Sequence, residues 1–170
     1  AVARRNISRA GLTDRIETAV TSGLQGHEIG PDDAVVLSGL GGLEMIDILA
    51  VLPEPCSQVI LQPQKSAMEL RLWLVANHYQ IDREELVQDR ERIYVIIRAV
   101  PGKSGPSNPM DHPDMSLAEA VLGPVLLREK PPLFGPYLKQ VARHVQSASR
   151  RMPELTDVMA VIQEWLDQTL

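Results

Sequence analysis

One short stretch constrains this chain more than any other. The uninterrupted apolar run Ala34-Val35-Val36-Leu37 follows Asp32-Asp33 and ends directly in Ser38-Gly39-Leu40-Gly41-Gly42. A run of that length and character suits a strand buried on both faces, as in a parallel sheet. The glycines behind it let the backbone turn sharply and approach a neighbour with no Cβ in the way. Leu43, Ile46, Leu49 and Ala50 then recur at helical spacing, and Pro53 closes that element. The result is a strand, a glycine turn and a helix, the first half of a βαβ unit.

The remaining segments extend the pattern. Val2 to Ala10 reads as a helix tail, with Gly11 as its stop. Ile16 to Val20 is expected as a short strand, and Thr21-Ser22-Gly23-Leu24 as the turn that leaves it. Val59-Ile60-Leu61 is the next buried strand, ended by Pro63. Ser66 followed by Glu69 predicts a capping box on a helix with Leu70, Trp73, Leu74 and Asn77 along one side. Ile81 to Val87 and Arg92 to Val100, separated around Asp89-Arg90, predict an antiparallel hairpin. Alternating strands and helices imply an α/β sheet with helices on both faces. Pro101 to Asp114 is a surface loop by composition. Three helical segments follow: Leu117 to Leu127 with a break at Gly123-Pro124, Leu133 to Arg151, and Glu154 to Leu170. Pro153 between the last two predicts an antiparallel pair. The expected division is an α/β domain over residues 1–115 and a helical extension over residues 116–170.

Composition excludes several classes. No apolar run approaches the roughly 20 residues of a membrane helix, and the polar start Ala-Val-Ala-Arg-Arg-Asn is no secretory signal. Cys56 is the only cysteine, so no intrachain disulfide forms, which favours a reducing, cytoplasmic setting. The net charge of -5 means that any nucleic-acid contact comes from a local patch. His27, His78, His112, His144 and Cys56 have no metal-ligand spacing, and Asp111-His112-Pro113-Asp114 reads as solvated loop. Trp73 and Trp165 read as packing residues.

The glycine turn allows two readings. It fails the dinucleotide fingerprint, since Glu44 stands where G-x-G-x-x-G needs its last glycine, and no P-loop Lys-Ser/Thr follows. It is either a ligand-facing loop at the strand ends or an ordinary tight turn.

A resemblance favours the first. Val36-Leu37-Ser38-Gly39-Leu40-Gly41-Gly42 resembles the Ile-Ala-Gly-Met-Gly-Gly segment of bacterial tRNA (adenine(22)-N1)-methyltransferases. Leu61-Gln62-Pro63 resembles their Leu-Gln-Pro-Asn, and Gly11-Leu12-Thr13-Asp14-Arg15-Ile16 their Gly-Leu-Ser-Asp-Lys-Ile. Leu122-Gly123-Pro124-Val125-Leu126-Leu127-Arg128-Glu129-Lys130 resembles their Phe-Gly-Pro-Ile-Leu-Leu-Lys-Glu-Lys. The matches keep one order along nearly the whole chain.

The resemblance implies a portion of a Rossmann-like class I methyltransferase sheet with a coiled-coil-like helical extension. It implies S-adenosylmethionine as donor and N1 of an adenine in tRNA as acceptor. Ser38, Gly39, Leu40 and Gly41 would face the transferred methyl group. Thr21, Ser22, Gly23, Leu24 and Ser38 would hold the cofactor. Gly42, Gln62, Pro63 and Tyr94 would line the base pocket; for Tyr94, stacking on the base and plain strand packing both stay open.

Three departures stand out. The family's acidic glycine-rich loop and its ribose-binding acid have no counterpart here; both would fall before Ala1, so residues 1–170 alone are expected to bind the cofactor weakly and to be inactive. Ser22 stands where the family has an Asp that accepts from the cofactor's adenine. Leu40 and Gln64 replace Met and Asn. These departures leave a second reading open, a non-catalytic RNA- or protein-binding module derived from the fold, and a third with another substrate.

The helical extension is charged in two blocks. Lys139, Arg143, His144, Arg150 and Arg151 make one helix basic, while Glu154, Asp157, Glu164 and Asp167 make the next acidic. Lys139, Arg143 and Arg150 either contact tRNA phosphates or answer the acidic helix beside them.

Overall fold

A computed structural model describes residues 2–52, 56–102, 115–149 and 152–168. Its elements are α1 (Val2–Arg9), β1 (Ala34–Ser38), α2 (Gly42–Leu49), β2 (Gln58–Gln62), α3 (Ala67–Ala76), β3 (Tyr79–Asp89), β4 (Arg92–Pro101), α4 (Leu117–Leu122), α5 (Pro124–Glu129), α6 (Phe134–Ala148) and α7 (Leu155–Gln168). Pro53, residues 103–114, Arg150 and Arg151 lie outside the described residues.

The sheet has the order β1-β2-β4-β3. β1 and β2 are parallel, with Val35 opposite Val59 and Ser38 opposite Gln62. β4 runs antiparallel to both neighbours, with Leu61 opposite Ile97 and Gln88 opposite Ile93. The expected hairpin is therefore present and starts two residues earlier, at the buried Tyr79. A parallel pair joined by a helix and closed by an antiparallel hairpin is the arrangement that the segment order implied.

Strand alternation assigns the faces. Val35, Val59, Leu61, Val95, Ile97 and Ala99 share one face and are all buried. They meet Met45 and Leu49 of α2, Leu70 and Leu74 of α3, and Phe134, Tyr137, Leu138 and Val145 of α6 in one core. Trp73 stacks on Tyr79, and Trp165 packs edge-on against Phe134 with centroids 5.1 Å apart. That last contact joins the start of α6 to the end of α7, so the two helices run antiparallel as Pro153 predicted.

Three expectations need correction. The helices do not cover both faces: among the described residues the core lies on one side, and Val36 on the other is 63% exposed. Ile16 to Val20 is not a strand; Val20 is 99% exposed, and the segment pairs with no strand among the described residues. The Ser66–Glu69 capping box does not form. Ser66 has φ 58°, in the left-handed region, and makes no side-chain cap, whereas capping needs an extended residue. The capping box that does form is Ser116–Glu119 at the start of α4. The Ser116 hydroxyl and backbone N–H hold the Glu119 carboxyl below its usual pKa.

Candidate active-site rim

β1 and β2 end side by side, and the chain leaving each is stitched to the other. Gly39 N–H donates to the Gln62 carbonyl at 3.2 Å, Gln64 N–H to the Leu40 carbonyl at 2.8 Å, and Gly42 N–H to the Lys65 carbonyl at 2.8 Å. The parallel ladder thus continues past the strands into both loops. Gly39 turns away with φ 80°, which a glycine adopts without strain.

Gly42 is the tightest point. A Cβ on it would lie 2.2 Å from the Ser66 carbonyl oxygen and 2.8 Å from the Ser66 carbonyl carbon. Only glycine fits. At Gly41 a Cβ would instead meet the Lys65 Cε at 3.0 Å, the far end of a flexible side chain.

The side chains are organised around one amide. Gln62 Oε1 accepts from Ser38 Oγ at 3.1 Å, Gly39 N–H at 3.1 Å and Gln64 Nε2 at 3.2 Å. Three donors fix which end of the amide is oxygen. Its other end, Nε2, is buried and has no partner among the described residues. A buried donor of this kind needs an acceptor.

Register places Tyr94 here as well. Ile97 lies opposite Leu61, so Tyr94, three residues nearer the start of β4, lies beyond the end of β2. The odd offset puts it on the opposite face from Ile97, the face that also carries Ser38 and Gln62. Ser38, Gly39, Leu40, Gly41, Gly42, Gln62, Pro63 and Tyr94 therefore gather at one end of the sheet. Pro63 is buried, Tyr94 half-buried, and Ser38 and Gly39 are exposed.

Thr21 to Leu24 sit elsewhere on the same unit. Thr21 Oγ1 donates to the Gly23 carbonyl at 2.8 Å, and a Cβ on Gly23 would lie 3.1 Å from Ile48 Cγ1. This turn leans on α2 near its C-terminal end, roughly 9 Å of helix rise from Gly42. Lys139 and Arg143 are exposed and one turn apart on α6. Neither forms an ion pair among the described residues. Arg150 lies outside the described residues.

Sequence reasoning missed two polar devices. Gln140 and the Arg71–Glu84 pair were not singled out, because nothing in local spacing marks a side chain that bonds a distant part of the chain.

The chain matches the family model described as tRNA (adenine(22)-N(1))-methyltransferase over residues 1–168. It is 26% identical over 182 residues to the Bacillus subtilis tRNA (adenine(22)-N(1))-methyltransferase, covering 97% of this chain and 75% of that protein. Among solved structures it resembles a protein of the NADB-Rossmann superfamily from Streptococcus agalactiae, with a TM-score of 0.75 and 26% identity over 96% of this chain and 73% of that one. It also resembles M. capricolum TrmK in complex with S-adenosyl-homocysteine, with a TM-score of 0.72 and 23% identity over 98% and 75% of the two chains.

Proposed function

The chain belongs to the tRNA (adenine(22)-N(1))-methyltransferase family, and we propose that the stitched loops 38–42 and 62–66 are where its methyl transfer to adenine N1 is aligned. S-adenosylmethionine, when bound, supplies a methyl group on a sulfonium. The chain's own work is to hold the base so that its N1 lone pair lies in line with that methyl group. Adenine N1 is already a nucleophile, so the site needs alignment and electrostatic support rather than a base catalyst. The rim fits this demand. Gly39 and Gly41 keep its backbone free of side chains, and the ladder between the loops fixes its shape.

Within this reading, Ser38, Gly39, Leu40 and Gly41 border the transferred methyl group, with Thr21, Ser22, Gly23, Leu24 and Ser38 toward the cofactor. Gly42 and Pro63 set the spacing of the pocket, and Tyr94 offers a ring face to the base. Gln62 Nε2, a donor without a partner among the described residues, is offered to a ring-nitrogen acceptor of the purine once the rim opens to admit the base. The unpartnered buried amide is the observation that carries this assignment. Gln62→Glu tests it, because a carboxylate still accepts from Ser38, Gly39 and Gln64 but has no donor to offer. Its kcat/KM for tRNA is expected to fall about 10- to 100-fold, the range of one lost buried hydrogen bond. Unchanged kcat/KM would remove Gln62 from the base pocket.

The helical residues 116–170 supply the tRNA-binding face of the same enzyme, residues 1–115 carry the methyl transfer, and the work is done in the cytoplasm. Lys139 and Arg143 favour this over mutual neutralisation with α7, since they face solvent without a carboxylate partner among the described residues. Alanine at both positions is expected to raise KM for tRNA. It should also flatten the log–log salt dependence of tRNA binding by about one for each phosphate left without its cation. An unaltered salt slope would show that this face touches no phosphate. Methyl transfer to tRNA by the intact enzyme separates this reading from a non-catalytic binding module.

A further inference from the structure

β4 is longer than the strand it pairs with. β2 ends at Gln62, opposite the region of Ile97 and Ile96, while β4 begins at Arg92. The first residues of β4 therefore overhang β2, with one edge bonded to β3 and the other open. Ile93 has the same parity as Ile97, so its N–H and C=O point to the edge that β2 has already left. Both groups belong to a residue only 8% exposed, and unpaired buried backbone groups are strongly disfavoured.

Gln140 supplies the missing partner. Ile93 N–H donates to Gln140 Oε1 at 3.0 Å, and Gln140 Nε2 donates to the Ile93 carbonyl at 2.8 Å. The side-chain amide imitates the backbone of an absent strand, with donor and acceptor both used. The same contact fixes α6 beside the end of the sheet where Ser38, Gln62 and Tyr94 gather. Gln140 directly follows Lys139 and is three residues from Arg143, so the register of this one amide decides where those cations stand relative to the rim.

We propose that Gln140 is a positioning residue for tRNA: its two-bond clasp on Ile93 sets α6 so that the Lys139–Arg143 face flanks the methyl-transfer rim. This rests on the reading of that face as a phosphate contact. A glutamine here is specific. Glutamate lacks the donor for the Ile93 carbonyl, and asparagine is one methylene too short to span the same gap.

The experiment is a double-mutant cycle in the intact enzyme with tRNA transcript. Gln140→Ala is expected to raise KM for tRNA about tenfold, while KM for S-adenosylmethionine and kcat at saturating tRNA stay within about twofold. In the Lys139→Ala/Arg143→Ala background the same change should add little, because the cations it positions are gone. Gln140→Glu should behave like Gln140→Ala. Equal losses in kcat and in both KM values would mean general damage and overturn the proposal. So would full additivity with the Lys139/Arg143 pair. If Lys139→Ala/Arg143→Ala leaves KM for tRNA unchanged, the phosphate reading itself fails. If that pair has its effect and Gln140→Ala has none, the phosphate reading stands and the clasp does not position it.

Discussion

Alanine at Gly42 is expected to lower kcat/KM for tRNA methylation by the intact enzyme about a hundredfold, the cost of displacing reacting groups by around an ångström. The added Cβ would lie 2.2 Å from the Ser66 carbonyl oxygen, and it would meet further backbone at the Lys65 carbonyl, 3.1 Å away. Backbone cannot rotate away as a side chain can. The 38–42 and 62–66 loops must separate, which breaks the Gly42-to-Lys65 hydrogen bond and moves Gln62 relative to Ser38. Gly41→Ala leaves the loop spacing intact, because it presses only on the end of the Lys65 side chain. Its loss is expected to be smaller than that of Gly42→Ala and to report only the methyl it brings to the transfer site. Gly39→Ala falls between, since it meets no neighbour within 4 Å but must adopt φ 80°. Steady-state kinetics on the three variants, with circular dichroism to verify folding, gives the order. Gly42→Ala as active as Gly41→Ala would show that the loops do not need their present spacing.

The largest stability effect is expected at Glu84. Arg71 and Glu84 are both fully enclosed, with Arg71 Nε donating to Glu84 Oε1 at 2.8 Å. The pair joins the sheet to the break between α4 and α5. Arg71 Nη1 donates to the Ala120 and Val121 carbonyls at 2.8 and 3.1 Å, near the C-terminal end of α4. Glu84 Oε2 accepts from the Val125 and Leu126 N–H groups at 2.9 and 3.4 Å, in the first turn of α5. Each charge thus meets the helix end of opposite sign. Burial pulls the Arg71 pKa down, but Tyr137 and Glu84 outweigh it and the pKa is raised, so the guanidinium stays charged. Gly123 is required beside them, since its Cβ would lie 2.6 Å from Glu84 Oε2.

Glu84→Ala strands a buried cation and two helix N–H groups. It is expected to cost about 3–5 kcal/mol, or roughly 10 °C in melting temperature. Arg71→Met with Glu84→Gln removes both charges and keeps an acceptor for α5, so it should melt closer to wild type than either Glu84→Ala or Arg71→Ala. Thermal melts of the four proteins decide this. A Glu84→Ala melt within about 2 °C of wild type would mean that the pair does not hold the helices to the sheet.

Local sequence determined the elements whose signals are local. The run Val35–Leu37 with its glycines, the short gap at Asp89-Arg90, the Gly123-Pro124 break and Pro153 each named a strand, hairpin, interruption or fold-back that is present. The ordered matches around Ser38–Gly42, Gln62-Pro63 and Leu122–Lys130 pointed to the family. What spacing cannot encode is a partner distant in the chain. Ile16 to Val20 has strand-like composition, but pairing decides a strand, and no strand among the described residues pairs with it. Ser66 and Glu69 have capping-box spacing, yet the backbone bonds from 40–42 to 64–65 hold Ser66 left-handed. Gln140 on Ile93 and Glu84 on the Val125 N–H are bonds between residues 47 and 41 positions apart. Their energy comes from burial and from backbone groups that only the assembled sheet leaves unpaired, so tertiary structure alone decided them.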